Sequence, residues 1–185
     1  AALLTADSGD TEEIARLVAE AERMHIQVLP PDVNESGSDF TVVGEKKDTI
    51  RFGLSSIKNF GEGVAKSIIE ERKARGPYAS LADFLSRVGS KNLNRKSLES
   101  LIKCGALDGF EKRGTLLTHI ETLLAYHREM TSEAPQDSLF GAAFAAPSLD
   151  LPGSKEVSLA DKLAWEKALL GIYISGHPLA AHMDW

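Results

Sequence analysis

Ile57-Lys58-Asn59-Phe60-Gly61-Glu62-Gly63-Val64-Ala65-Lys66-Ser67-Ile68-Ile69 is the stretch whose reading decides the fold. It predicts a short helix, a tight glycine turn and a second helix. Glycine takes positive φ without steric cost and lets another backbone or a phosphate come close, which is expected of Gly61 and Gly63. The helix that follows begins with unpaired N–H groups pointing outward, and such an end attracts anions. Lys58 and Lys66 flank the turn, and Asn59 lies within it. This is the chemistry of a helix-hairpin-helix module, which grips the DNA backbone without reading bases. A plain structural hairpin that holds no ligand is the bland alternative.

Gly61-Glu62-Gly63-Val64-Ala65 also fits G-x-G-x-x-A, the dinucleotide fingerprint. That fingerprint needs a buried strand just before it and an acidic residue about 20 positions on, within a βαβ unit. Ser55-Ser56-Ile57-Lys58-Asn59 is polar and spaced like a helical turn, and no alternation of strands and helices follows. A nucleotide-dependent enzyme is therefore the minor reading.

Charge is distributed unevenly. Residues 1–50 carry 4 Lys+Arg against 11 Asp+Glu, residues 51–128 carry 14 against 8, and residues 129–185 carry 3 against 8. A polyanion would be drawn to the middle segment alone, although an ordinary solvated surface could show the same pattern. The chain has 185 residues, enough for one sizeable core or two small ones. No apolar run approaches the ~20 residues of a membrane span, and no signal peptide is expected. Cys104 is the one cysteine, which suits a reducing cytoplasm. It reads as a small core residue rather than a nucleophile.

Along the chain, a helix is expected over 11–25, capped by Asp10 with Glu13 completing a capping box, its stripe Ile14, Leu17, Val18 and Ala21. The prolines of Leu29-Pro30-Pro31-Asp32-Val33-Asn34 keep that stretch extended. Phe40, Val42, Ile50 and Phe52 alternate with polar residues around Gly44-Glu45-Lys46-Lys47-Asp48, the pattern of a β-hairpin. From Leu54 to about Met130 the period is helical. Val64, Ala65, Ile68 and Ile69 stripe one helix, which Gly76-Pro77 stops. Ser80 starts the next, carrying Leu81, Phe84, Leu85 and Val88, and Asn94 caps another with Leu98, Leu101 and Ile102 inward. A second tight turn follows at Cys104-Gly105-Ala106-Leu107-Asp108-Gly109, then one long helix through Leu116, Leu117, Ile120, Leu123 and Leu124.

Two helix–turn–helix pairs, with turns at Gly61–Gly63 and around Gly105, suggest an internal duplication, because one helical hairpin cannot bury its own apolar face. The second turn has one glycine where the first has two, so Gly105 is the weaker candidate for a phosphate contact. Residues 131–157 lose all period and read as a linker. Gln136-Asp137-Ser138-Leu139-Phe140 stands out within it, since an apolar pair is otherwise wasted in a polar linker. Ser158 caps a last helix with Leu159, Leu163, Leu169 and Leu170, and Ile172–Pro178 reads as a short extended segment. His119 and His127 lack a third ligand and no carboxylate pair suits two-metal chemistry, so neither a catalytic residue nor a metal site is expected.

Ala1-Ala2-Leu3-Leu4-Thr5-Ala6-Asp7, Leu29-Pro30-Pro31-Asp32-Val33-Asn34, Gly53-Leu54-Ser55-Ser56-Ile57-Lys58, Leu93-Asn94-Arg95-Lys96-Ser97-Leu98-Glu99-Ser100-Leu101-Ile102 and Ser175-Gly176-His177-Pro178-Leu179 occur in that order. Together they resemble the C-family of bacterial replicative DNA polymerases, the alpha subunits of DNA polymerase III, over nearly the whole chain. The resemblance implies residues 1–53 as the end of the fingers with a small β element, 54–130 as a tandem helix-hairpin-helix DNA-binding domain, 131–157 as a linker with an internal clamp-binding peptide, and 158–185 as a helix and segment leading to a following domain. It places the catalytic palm, with its metal-binding aspartates, upstream. No cofactor is then expected here, magnesium being expected of the whole polymerase.

The expectation is thus a mainly α fold with a small β-hairpin and a tandem helix-hairpin-helix module. The segment would be a non-enzymatic, cytoplasmic piece of a DNA-directed DNA polymerase, a nucleotidyltransferase of DNA replication. It would bind double-stranded DNA non-specifically through Lys58, Asn59, Gly61, Gly63, Lys66 and Gly105. It would bind the sliding clamp through Gln136, Leu139 and Phe140, supporting processive synthesis beside other holoenzyme subunits, with no membrane partner. A stand-alone DNA-repair module with the same hairpins is the other alternative.

Overall fold

The computed structural model describes residues 1–6, 11–44, 48–89, 93–132, 149–153 and 156–176. A short helix α1 (Ala2–Ala6) packs on α2 (Thr11–Arg23), whose Ile14, Val18 and Ala21 face the core. The expected cap Asp10 lies outside the described residues. Strands β1 (Gln27–Leu29), β2 (Thr41–Val43) and β3 (Thr49–Arg51) make one sheet in the order β1-β3-β2. β2 and β3 form the expected antiparallel hairpin, while β1 joins β3 in parallel, a partner that alternation between neighbours could not reveal. Val42 departs from the expected inward alternation. It lies opposite Ile50 in the register, but on an edge strand, and it is 44% exposed where Ile50 is buried. Phe40 and Phe52 pair with ring centroids 4.4 Å apart beneath the sheet.

A single 3-10 turn (Leu54–Ser56) leads into α3 (Glu62–Arg75), which ends at Gly76 with φ 83°. Then come α4 (Leu81–Arg87), α5 (Arg95–Lys103), α6 (Arg113–Thr118), α7 (Ile120–Thr131) and α8 (Leu159–Leu170). The expected caps at Ser80, Asn94 and Ser158 are all made, each side chain accepting a first-turn N–H. Asn94 and Ser97 reciprocate in a capping box. The single long helix expected after Gly109 is instead two. His119, at φ −104° and ψ 21°, breaks it, so that α6 packs on α5 while α7 lies along α4. The His119 Nε2–H donates to the Pro152 carbonyl at 3.0 Å and holds the bend. Ile172–Gly176 forms no strand; the N–H groups of Ile174 and Ser175 go to the Glu166 carboxylate instead of a ladder.

The buried apolar residues form one connected cluster from Leu4 to Ile172, with Phe84, Leu98 and Leu116 fully enclosed. Cys104 lies inside it, and burial pushes its thiol up to about 12, which keeps it protonated. Among the described residues no helix is long and apolar enough to cross a membrane.

Candidate nucleic-acid interface

The first turn is built from the core outward. Ile57 and Phe60 are buried, and the Phe60 N–H closes a turn onto the Ile57 carbonyl at 3.1 Å. Lys58 and Asn59 are left at the exposed tip between them. The conformational freedom expected of Gly61 and Gly63 is not used. Gly61 has φ −69° and ψ 137° as the N-cap of α3, and Gly63 lies inside its first turn. The left-handed residue is Asn59, φ 62°, one of the few types that tolerates that region. A Cβ on Gly61 would meet nothing nearer than a Val64 methyl at 3.8 Å. The fold therefore does not demand glycine there, and the small residue leaves room on the solvent side.

Unlike α4, α5 and α8, α3 has no side-chain cap. The Val64 and Ala65 N–H groups return to the Gly61 carbonyl. Those of Gly61, Glu62 and Gly63 meet no acceptor among the described residues, and all three residues are exposed. The positive end of a 14-residue helix dipole is thus open to solvent. Gly63 and Lys66 line the same shallow depression, with Ser67, Arg87 and the carboxylates Glu70 and Glu71 beside them. Lys66 pairs with Glu70 at 3.8 Å, but both are largely exposed, so the pair holds the ammonium only weakly. Lys58 is exposed and makes no ion pair among the described residues. Lys58 and Asn59 lie at the exposed tip of the turn, Gly61 at the exposed start of α3, and Gly63 and Lys66 along one depression on its first turns.

The second turn is built differently. Gly105, φ 86°, ends α5 in a Schellman motif, with its N–H on the Ile102 carbonyl and the Ala106 N–H on the Leu101 carbonyl. It is buried, and the Arg113 guanidinium lies across it. Its donor is spent and its surface covered, so Gly105 has a structural place and no free N–H for a phosphate. Among the described residues the exposed cations of this hairpin are Arg95 and Lys96 on α5 and Lys112 at the uncapped start of α6.

Several basic residues counted in the sequence serve the fold. Arg72 donates to the Val33 and Ser36 carbonyls at 2.6 and 2.7 Å. Arg87 binds Glu71 and Asp83 and stacks on Tyr78 at 4.5 Å. Arg51 pairs with Glu35 and donates to the Pro30 carbonyl. Arg113, 5% exposed, binds Asp108 at 2.8 Å, Glu166 at 3.0 Å and the last carbonyl of α5 at 3.0 Å. Nothing in the local sequence marked Arg113 or Glu166, beyond a carboxylate three residues after the buried Leu163 on the same helix.

Glu166 is fully buried. Burial alone would raise its pKa, but the Ser175 hydroxyl, the Ser175 and Ile174 N–H groups and Arg113 outweigh it and hold the carboxyl below its usual 4.5. A depressed carboxylate adds stability above its unfolded pKa and loses it as pH falls through the folded one. The melting temperature is expected to fall on acidification below about pH 4.5, with a smaller acid-side slope in Glu166→Gln. Parallel melting curves for the two proteins between pH 3 and 5 (roughly one unit either side of the reference pKa) would contradict this.

The strand that the dinucleotide fingerprint requires is absent, since Leu54–Ser56 is a 3-10 turn and β3 ends at Arg51. Gln136, Leu139 and Phe140 lie outside the described residues.

Residues 25–116 match a family described as "Helix-hairpin-helix motif". The chain is 44% identical to "DNA polymerase III subunit alpha" of Thermus aquaticus over 97% of its own length and 14% of that protein's. It is 45% identical to the protein of that name from Deinococcus radiodurans, over 98% of this chain and 14% of the other. For Chlamydia pneumoniae the identity is 38%, over 100% and 15%. The chain thus spans about a seventh of the length of these relatives.

Proposed function

The chain is a homologue of one segment of the DNA polymerase III alpha subunits, and on that premise we propose that it holds duplex DNA by its phosphates and the sliding clamp by a linker peptide. The observation that carries the DNA reading is the open end of α3: three N–H groups that meet no acceptor among the described residues, with two glycines and two exposed lysines in the turn and helix start around them. Backbone donors and point charges recognise phosphate and carry no base information. On this reading, as the resemblance implies, the chemistry of nucleotide addition belongs to another part of the whole polymerase, and this segment contributes grip.

Binding is expected to be indifferent to sequence and to weaken steeply with salt. Lys58→Glu with Lys66→Glu should weaken it on every duplex and flatten the plot of log affinity against log salt by about 2, or roughly 0.9 per lost phosphate contact. Both side chains are exposed, so the fold should be unaffected. Fluorescence anisotropy on two unrelated duplexes at four salt concentrations decides it. An unchanged slope would move the DNA away from α3.

The clamp reading rests on composition and on the resemblance. Gln136 offers an amide, and Leu139 with Phe140 offers an apolar anchor, within a stretch rich in Ser, Ala, Pro and Asp. Tethering both partners through one chain raises the effective concentration of each, which is the physical basis of processivity.

A further inference from the structure

The two turns are separated by about 45 residues of chain, yet one helix touches both. The Lys58 N–H, at the tip of the first turn, donates to the Leu169 carbonyl in the last turn of α8 at 2.9 Å. Three residues earlier on α8, Glu166 binds Arg113, which caps α5, pairs with Asp108 and opens α6 in the second hairpin. Residues 166 and 169 lie on neighbouring turns of one helical face. The carbonyls of a helix's last turn lack intrahelical partners, so the Leu169 oxygen is free to serve the first turn. The same Glu166 carboxylate binds the Ile174 and Ser175 N–H groups and the Ser175 hydroxyl, tying the chain after α8 into the joint. Gly171, φ 79°, turns the chain back to make that possible.

We infer that α8 is a splint that sets the DNA-binding end of α3 against the second hairpin, with Glu166 as its positioning residue. Glu166 touches no DNA in this arrangement; it acts through Arg113 on the second hairpin and through the seating of α8 on the first. The inference rests on the DNA reading above. It makes grip on DNA depend on a helix that lies between the linker peptide and whatever chain follows Gly176, so a load on either side of α8 would be felt at both turns.

The test compares the chain with its Glu166→Gln variant at a temperature where both are folded. The variant keeps the size and the acceptor for the 174–175 amides but loses the charge that holds Arg113. Its slope of log affinity against log salt should be flatter by about 1 to 2, as one or two phosphate contacts are lost. The Lys58 amide should exchange with solvent faster, while core amides of α3 keep their protection. A purely stabilising role would lower the melting temperature and leave both readouts where they were, and that result overturns the inference. Should Glu166→Gln fail to fold, Glu166→Asp carries the test. It keeps the charge, but its shorter reach cannot serve Arg113 and the 174–175 amides together, so the slope should flatten, and the parent slope would again overturn the splint. If the parent itself shows no salt-dependent affinity for duplex DNA, the DNA reading falls and takes this inference with it; a salt-dependent parent with an unchanged variant removes the splint alone.

Discussion

Gly105→Ala is expected to cost about 4–7 kcal/mol. Left-handed backbone costs a Cβ-bearing residue roughly 1–2 kcal/mol. The larger part comes from crowding. An added Cβ would sit 2.3 Å from Nη2 of Arg113 and 2.9 Å from Oδ2 of Asp108. An arginine tip usually moves aside cheaply. This one is 5% exposed and held by Asp108, Glu166 and the Lys103 carbonyl. Displacing it strands a buried carboxylate, and breaking such a pair costs about 3–5 kcal/mol. Gly76→Ala is the control, because Gly76 has φ 83° but its Cβ would meet nothing within 4 Å. It should lose only backbone strain, about 1–3 kcal/mol. Urea titration of the two variants measures the difference. Equal losses would show that Arg113 yields freely, and the joint between the hairpins would then be looser than its geometry suggests.

Leu139→Ala with Phe140→Ala is expected to abolish clamp binding. A short peptide docks through few anchors, since ordering each linker residue costs roughly 1–2 kcal/mol in backbone entropy. Anchors of that kind carry about 2 kcal/mol or more apiece. Losing both removes about three orders of magnitude from an affinity that is modest to begin with. DNA binding should not change, because the α3 end and its lysines are remote in sequence from residue 139. Asp137→Ala and Ser138→Ala should be tolerated. Surface-binding measurements against an immobilised bacterial clamp give the answer, and a double variant that binds as well as the parent would remove this peptide from the function.

Much of the local structure was legible because local chemistry causes it. Ser80, Asn94 and Ser158 cap helices through bonds to N–H groups three residues on, so identity and spacing suffice. The stripe Val64, Ala65, Ile68, Ile69 and the stop at Gly76 follow from the helical period and from a backbone angle only glycine holds easily. The first turn with the start of α3, over residues 58–66, was legible for the same reason. The mechanism within it was not: the left-handed residue is Asn59, which its own turn selects, and not Gly61 or Gly63.

By itself, then, the sequence determined most of the helices, the caps at Ser80, Asn94 and Ser158, the β-hairpin and the first turn, because each depends on neighbours within a few positions. Tertiary structure alone decided what depends on distant partners. It added β1 in parallel to β3, 22 positions away in the register of Gln27 with Thr49. It broke the long helix at His119 so that α6 and α7 could pack on different helices. It also turned Arg51, Arg72, Arg87 and Arg113 from surface charge into internal braces, so the basic face is smaller than the count of charges implies. Most of all it set Glu166 against Arg113 across 53 positions of chain. A buried charge is tolerable only where a partner arrives from elsewhere in the fold, and no local pattern announces that partner.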